Sequence, residues 1–275
     1  MIHLICALKC EAKSLIAHFR LKYCSDSTSF PLYISQDKKI SLTISGIGKI
    51  YAAAATAFTH AFLQTSKQDI WLNVGIAGHK DLEIGEVMIA HKIIEQSTQQ
   101  SWYPQILYSP PCQSIEVLSC DHPASDYTDT VFSGAVFEME AAGFYATACR
   151  FATSELIHVV KIISDNQQHP ADKISAPFVA DLLKDKLGII DQLITSLRQL
   201  AKDLNSPNES PDYYDQIIEK WRFTYTERNK LKSCLNRWHV LYPDENPMKV
   251  LDGSLQGEDV INQITNKLDA LPVYF

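Results

Sequence analysis

Three carboxylate residues of this chain directly follow apolar segments. Glu138 and Glu140 come after the run that ends at Phe137, and Asp165 comes after Val159–Ile163, about one strand–helix unit later. An open α/β sheet keeps its ligand site at the carboxyl ends of its strands. Acidic groups at that edge are unfavourable unless they are solvated or used. The spacing therefore predicts an acid-rich site at one edge of a sheet.

Two further segments fit the same site. The strand-like run Ile5–Leu8 leads to Glu11, and the glycine-containing segment Ser45–Lys49 leaves a strand and enters an alanine-rich helix. Cleavage of a nucleoside needs an acid near the base, a carboxylate near the ribose hydroxyls and a base that activates water. We predict that Asp165, Glu140 and Glu11 carry out these tasks, in that order.

The composition limits the class of protein. The chain has 275 residues, is 46% hydrophobic and carries a formal net charge of −7. These values indicate a globular protein with a real core and disfavour a general nucleic-acid binder. Its seven cysteines include no Cys-x-x-Cys pair and no zinc-binding cluster. We expect a cytoplasmic protein with reduced cysteines, no metal or organic cofactor, no signal peptide and no membrane span.

Strands alternate with helices over residues 2–200, which predicts an α/β fold with a central mixed, twisted sheet flanked by helices. The predicted strands are 2–8, 32–35, 40–44, 70–74, 85–90, 115–118 and 157–163. The predicted helices are 11–19, 50–63, 141–151 and, as one long amphipathic helix, 177–200. Gly75–Gly78 is predicted to form a tight loop after its strand.

A polar, proline-bearing stretch at 205–211 is the best domain boundary. We expect a main domain at 1–204, a linker at 205–211 and a helical C-terminal extension at 212–275. Lysine and arginine side chains lie among the aromatic residues of the extension and would suit a nucleic acid or a protein partner. Acidic neighbours dilute that charge, so we favour a helical pair packed on the main domain; a lid or a dimer contact is the alternative.

Apolar and aromatic residues recur near helical spacing in this extension. They are Ile217, Trp221, Tyr225, Leu231, Leu235 and Trp238.

Six segments, taken in order, resemble one known family. They are Ala7–Glu11, Ser45–Lys49 with its alanine-rich helix, Asn73–Gly78, Gly85–Val87, Phe137–Ala141 and Ser164–Asp165. Over roughly residues 1–200 the chain resembles the purine nucleoside phosphorylase superfamily, and most closely its methylthioadenosine/S-adenosylhomocysteine nucleosidase branch. The resemblance implies a nucleoside phosphorylase-like fold. It also implies hydrolytic release of adenine from a 5′-modified adenosine such as methylthioadenosine or S-adenosylhomocysteine.

The resemblance implies roles for individual residues as well. Glu11 would activate water, and Glu140 with Met139 would hold the ribose. Asp165, oriented by Ser164, would protonate the base, and an aspartate at this position favours adenine. Further substrate-binding candidates are Ala77, Gly78, His122, Glu138 and Lys161.

Lys161 stands where the nucleosidases usually carry arginine, so it keeps the charge but loses the bidentate fork. The resemblance also implies a homodimer whose partner helps to close the site, with Trp102 and Tyr103 in a contributing loop.

The anion site decides between water and phosphate as the nucleophile. Phosphate needs several convergent cationic or N–H donors. The phosphorylases generally carry an arginine where this chain has Asn73, and Lys49 alone would be a poor clamp. We therefore expect water, with a phosphate-dependent phosphorylase as the alternative. Three departures from the family pattern, at Lys161, Ile76 and Cys120–His122, motivate a third reading, an inactive nucleoside-binding module.

Each candidate also has an ordinary structural explanation. Glu138 and Glu140 would serve equally as solvated acids at a strand end. Asp165 would cap a turn, and Glu11 would complement a helix dipole. His122 would be a structural loop residue. The joint occurrence of these residues in one order favours a site.

Overall fold

The chain forms two compact units, Met1–Lys202 and Asp203–Phe275. The computed structural model describes residues 1–123, 134–205, 211–251 and 256–270. The predicted linker at 205–211 lies mostly outside these described residues. None of the helices within them is long and apolar enough to cross a membrane.

The first unit is built on a mixed sheet. Its strands are β1 (Ile2–Cys6), β2 (Lys22–Tyr23), β3 (Leu32–Ile34), β4 (Ile40–Ile44), β5 (Ile70–Gly78), β6 (Val87–Glu95), β7 (Ser101–Trp102), β8 (Gln113–Ser119), β9 (Ala135–Glu138) and β10 (Ile157–Asp165). Parallel pairs join β1 to β4 and β5, β5 to β10, β6 to β8, and β8 to β9. Antiparallel pairs join β10 to β6 and β5 to β9. The predicted mixed sheet is confirmed.

The pairing closes part of this sheet on itself. Strands β5, β10, β6, β8 and β9 pair in a continuous cycle, while β1, β4, β3 and β2 extend outward from β5. Because β5 and β10 are central strands, almost every residue in them is buried. The cycle brings the carboxyl ends of β5, β9 and β10 to one place.

Helices cover the sheet. They are α1 (Lys9–His18), α2 (Lys49–Leu63), α3 (Ala141–Ala148), α4 (Ala176–Asp185) and α5 (Leu187–Asn205). Helices α2 and α3 pack closely, because a Cβ atom at Gly143 would lie only 2.0 Å from the carbonyl oxygen of Lys49. Glycine at this position lets α3 approach the backbone at the start of α2.

The predicted single helix over 177–200 is wrong, since the structure has two helices there. Helix α4 ends at Asp185, and Lys186 leaves helical geometry with φ −104° and ψ 3°. The buried side chains of Leu183 and Ile190 are two helical turns apart in sequence. The apolar pattern therefore continues across the break and gives no sign of it.

The predicted tight loop at Gly75–Gly78 is also wrong, since these residues continue β5. Glycine at position 75 has another role: a Cβ atom there would lie 2.8 Å from Oε1 of Glu11. The absence of a side chain leaves room for the carboxylate beside the strand. The glycine marks a close approach rather than a turn.

The second unit is helical, as predicted. Its helices are α6 (Tyr214–Lys220), α7 (Tyr225–Leu241) and α8 (Gly257–Asp269). Trp221, Leu235, Trp238 and Ile264 belong to its own apolar core. Tyr225 departs from the predicted apolar recurrence and is 82% exposed. The backbone is extended at Trp221, so α7 begins with a new helical phase.

Candidate active site

A cavity of about 170 Å³ lies at the carboxyl ends of β5, β9 and β10 and beside the start of α1. Most of the predicted site residues line this cavity. They are Glu11, Ala77, Gly78, His122, Glu138, Met139, Glu140, Ser164 and Asp165. Lys161 is not among the lining residues. It lies on β10, buried beneath the cavity.

Glu11 stands in the first turn of α1 and is 2% exposed. Its Oε2 accepts a hydrogen bond from the Leu8 N–H at 2.8 Å, and its Oε1 accepts one from the Ile76 N–H at 3.0 Å. Burial raises the pKa of Glu11, although Lys161 and these backbone donors oppose that change. The carboxylate therefore caps the helix and also lines the cavity.

Glu140 precedes α3 and is 6% exposed. Its Oε1 accepts a hydrogen bond from the Gly48 N–H at 2.9 Å. The close packing at Gly143 makes this contact possible, because it brings the start of α2 next to α3. Burial raises the pKa of Glu140 to about 7; Lys161 lowers it and Glu138 raises it further. A carboxyl group of this kind exchanges its proton near neutral pH.

Glu138 has its acceptor capacity largely engaged by the protein. It accepts from the backbone N–H groups of Glu140 and Ala141 at the start of α3 and from the Ser119 hydroxyl. The Lys161 ammonium lies 2.8 Å from its Oε2. This carboxylate therefore anchors the turn that presents Glu140.

Lys161 is the cation of this buried cluster and is 1% exposed. Besides the Glu138 contact, its Nζ lies 3.7 Å from Oε2 of Glu140. Burial alone lowers the pKa of the lysine, but the two carboxylates and Glu11 outweigh burial and raise it. One ammonium thus faces three carboxyl groups, so burial and the neighbouring carboxyl groups raise the pKa of Glu140 more than Lys161 lowers it.

Asp165 ends β10, lines the cavity and is 6% exposed. The Ser164 hydroxyl donates to its Oδ1 at 2.5 Å and lies 3.3 Å from the carbonyl oxygen of Ala77. Ser164 therefore fixes the carboxyl group against the end of β5. Met139 also lines the cavity, and His122 lines it with an exposed side chain.

The carboxyl groups of this cavity suit the cleavage of a glycosidic bond to a nucleobase, in which positive charge develops on the sugar carbon. The cavity lining holds the buried carboxylates of Glu11 and Glu140 and the carboxyl group of Asp165, which the Ser164 hydroxyl orients. Among the described lining residues there is no lysine or arginine. The described part of the chain also holds no group of three His, Cys, Asp or Glu side chains arranged for a metal ion.

Solved structures with this architecture include a futalosine hydrolase mutant from Helicobacter pylori, at 16% identity over 71% of this chain and 98% of that one, with a TM-score of 0.54. The 5′-methylthioadenosine/S-adenosylhomocysteine nucleosidase of Helicobacter pylori gives 14% identity, 71% and 97% coverage and a TM-score of 0.56. The 5′-methylthioadenosine nucleosidase of Arabidopsis thaliana gives 16% identity over 73% of this chain and 95% of that one, with a TM-score of 0.56. The chain has the nucleosidase fold. No protein-family model and no curated protein sequence matches it.

This chain carries a second charged cluster at the rim of the cavity, which the sequence did not predict. Lys49, at the start of α2, binds Glu95 at the end of β6, and its Nζ lies 2.8 Å from Oδ1 of Asp121. Asp121 directly precedes His122 and also accepts from the Ser97 hydroxyl at 2.7 Å. The cluster ties two walls of the cavity together.

Several other contacts at the site were also beyond sequence reasoning. The N–H groups of Leu8, Gly48 and Ile76 hold the carboxylates, and backbone donors carry no side-chain signal. Ile174 lines the cavity from the segment before α4, where no motif marks it.

Proposed function

We propose that this protein is an N-ribosyl hydrolase that releases adenine from a 5′-modified adenosine, such as methylthioadenosine or S-adenosylhomocysteine. The observation that carries the proposal is the meeting of Glu11, Glu140 and Asp165 in one cavity. The nucleosidase fold is consistent with it, since the neighbouring structures include nucleosidases for these compounds.

In the proposed reaction, Asp165, Glu140 and Glu11 each have one task. Asp165 delivers a proton to N7 of the purine as the bond between C1′ and N9 breaks, and the bonding electrons leave with the base. Ionised Glu140 accepts hydrogen bonds from the ribose hydroxyls and stabilises the positive charge that develops on the sugar. Glu11 takes a proton from water as the water oxygen bonds to C1′. The products are adenine and the 5′-modified ribose.

Lys161 and Glu138 act as positioning residues in this proposal. Lys161 contacts both Glu138 and Glu140 beneath the cavity and does not line it. Its positive charge limits the cost of placing ionised carboxylates in a buried site. Glu138 fixes the backbone turn before α3. Neither residue needs to touch the substrate.

Water rather than phosphate is the nucleophile in this proposal. Phosphate would need convergent donors that are free to bind it. The ammonium of Lys161 is engaged by Glu138 and Glu140, and that of Lys49 by Glu95 and Asp121. Asn73 lies inside β5 and donates its amide to the carbonyl of Ile5 at 3.1 Å. The charges near the cavity are therefore already paired.

The experiment that tests the function is adenine release from methylthioadenosine, S-adenosylhomocysteine, adenosine and inosine, each with and without phosphate. We expect release without phosphate, with a modified adenosine as the best substrate. Release only with phosphate would move the protein to the phosphorylases. Binding without release from any compound would leave a nucleoside-binding module.

Asp165→Asn provides the matched variant for this assay. We expect it to lose about 10²–10⁴-fold in kcat, the usual contribution of a general acid. Asp81→Asn is the control, because Asp81 is exposed and lines neither this cavity nor the one beside it. Full turnover by Asp165→Asn would exclude the assigned role.

We also propose a homodimer. Large apolar side chains are exposed at the start of α2, where Ile50 is 82% and Tyr51 59% exposed, and after β7, where Tyr103 is 64% exposed. Burial of such groups favours association. Sedimentation should show a dimer that Ile50→Glu weakens, and a wild-type monomer at micromolar concentration would contradict this proposal.

A further inference from the structure

A second cavity, of about 610 Å³, adjoins the candidate active site. Ser164 and Ile174 line both cavities, so the two share a wall. The remaining lining residues are Glu83, Ile84, Asn166, Gln168, His169, Pro170 and Phe178. None of the steps proposed above uses this space.

The second cavity lies next to Asp165, where the proposed mechanism places the purine. Its lining includes Asn166, the residue after Asp165, and Ser164, the residue before it. It includes neither Glu11 nor Glu140, which hold the water and the ribose in the proposed mechanism. A group that enters it from a bound nucleoside would therefore be attached to the purine rather than to the sugar.

The position on the purine follows from the same geometry. Asp165 serves N7, and the exocyclic amine at position 6 lies on the same edge of the ring as N7. A substituent on that amine leaves the purine beside Asp165. Ser164 lines both cavities and Asn166 lines the second, while Asp165 between them lines the first, so a substituent on that amine would be directed toward the second cavity.

The wall of this cavity is held in place before any ligand binds. The Asn166 side chain donates to the carbonyl of Leu82 at 2.8 Å and accepts from the N–H groups of Gln168 and His169 at 3.0 and 2.9 Å. These bonds fix the 166–169 turn against the loop after β5. A pre-formed wall lowers the ordering cost of binding.

The chemistry of the lining is mixed. Ile84, Ile174 and Phe178 provide apolar surface, while Gln168 and His169 provide polar groups near the solvent. Such a lining suits a substituent with an apolar or aromatic stem. Phe178 is 39% exposed and is available to contact it.

The geometry points to a substrate subsite for N6-substituted adenines: the second cavity takes an alkyl or benzyl group carried on the 6-amine of the purine. This inference rests on the proposed function, because it places the purine against Asp165. It extends that function from adenine nucleosides to nucleosides with a modified base.

The test compares hydrolysis of 5′-methylthioadenosine with that of its N6-benzyl derivative. We expect the wild type to cleave the two with kcat/KM values within about threefold of each other. Gln168→Trp, which fills the second cavity from an exposed position, should lower kcat/KM for the benzyl compound by at least about tenfold and leave the parent compound unchanged. Gln167→Trp is the matched control, because Gln167 is exposed and lines neither cavity; it should change neither value.

Two results would overturn the subsite while leaving the proposed function intact. The first is cleavage of the parent compound with a loss of more than about a hundredfold for the benzyl derivative in the wild type. The second is an equal effect of Gln168→Trp on both substrates.

If neither compound is cleaved, the proposed function fails, and calorimetric binding of the free bases tests the subsite separately. N6-benzyladenine should bind at least about tenfold more tightly than adenine, since the benzyl group buries apolar area. Gln168→Trp should remove that gain. Equal affinity of the two bases for the wild type would exclude the subsite.

Discussion

Two lysines near the candidate active site each bind two carboxylates, yet they do so in very different surroundings. Lys161 lies beneath the cavity with Glu138 and Glu140, and all three side chains are at most 9% exposed. Lys49 lies at the rim, where it is 17% exposed and its partner Asp121 is 54% exposed. The same ionic arrangement therefore has different consequences.

The difference is one of coupling. In the buried cluster, charges are poorly screened, so the proton on one carboxyl group depends on all the others. Burial, together with this coupling, raises the pKa of Glu140 to about 7. At the rim, the hydrogen bonds from Lys49 hold the pKa of Glu95 and of Asp121 below their usual values despite partial burial. The buried ion pairs therefore couple the pKa values of the carboxyl groups, whereas the ion pairs at the rim hold the cavity walls in position.

Removal of the buried cation should have the largest effect. Lys161→Met leaves two buried carboxylates without their partner, and we expect it to lower the free energy of unfolding by about 3–5 kcal/mol. Adenine release should fall below detection, because Glu140 would then stay protonated. Urea denaturation and the release assay measure the two effects.

Two controls separate the charge from its surroundings. Lys161→Arg keeps the charge and should restore most of the activity. Lys92→Met removes a partly exposed ion pair with Glu116 on neighbouring strands and should change stability far less. A Lys161→Met protein that is as stable and active as wild type would contradict the role of the buried cluster.

The pH dependence of activity should show the coupling directly. In the proposed mechanism ionised Glu140 holds the ribose, and burial raises its pKa to about 7. We therefore expect kcat/KM to fall about tenfold per unit as the pH drops below 7. Glu11, whose pKa is also raised, should steepen the fall. Lys49→Met should leave the midpoint in place. A midpoint near the ordinary glutamate value would show that the buried carboxylates titrate independently.

Stability should respond to the same proton. Because the pKa of Glu140 in the folded chain is raised from 4.5 to about 7, the folded state holds a proton that the unfolded state loses between these values. Stability from this proton is full below pH 4.5 and is lost by pH 7. Glu140→Gln should therefore gain about 1–3 kcal/mol relative to wild type between pH 4 and pH 8. Denaturant titrations at both values test this, and a constant difference would refute it.

The rim variant should have the smallest effect. Lys49→Met releases Asp121 and the wall next to His122, and we expect less than about a tenfold rise in KM with kcat nearly unchanged. Added salt should produce a similar change in the wild type, because Asp121 is exposed and its charge is screened. A large loss of kcat would place Lys49 in the catalytic steps.

Much of this architecture could be predicted because strand ends are visible in sequence. Apolar runs followed by Glu140 or Asp165 indicate a sheet edge, and the family resemblance correctly supplied the fold. The roles assigned to these residues stay predictions.

Other features carry no local signal. The sequence predicts a turn at Gly75, because it cannot show that a carboxylate from another element approaches this glycine. The depth of Lys161 is hidden because both faces of β10 are buried. The sequence also gives no signal for the rim cluster, because its members are far apart in the chain and come together only in the folded structure. They are Lys49, Glu95 and Asp121.

The closed cycle of strands has a consequence for how the site can fail. In an open sheet, an end strand can slip by one residue and turn its side chains to the opposite face. In the cycle formed by β5, β10, β6, β8 and β9, a slip in one pairing requires compensating slips in the others. The strand register therefore fixes the relative positions of Ala77, Glu138 and Asp165. The site should be lost only together with the whole cycle, as one cooperative event, and hydrogen exchange of its amides should give one common free energy of opening.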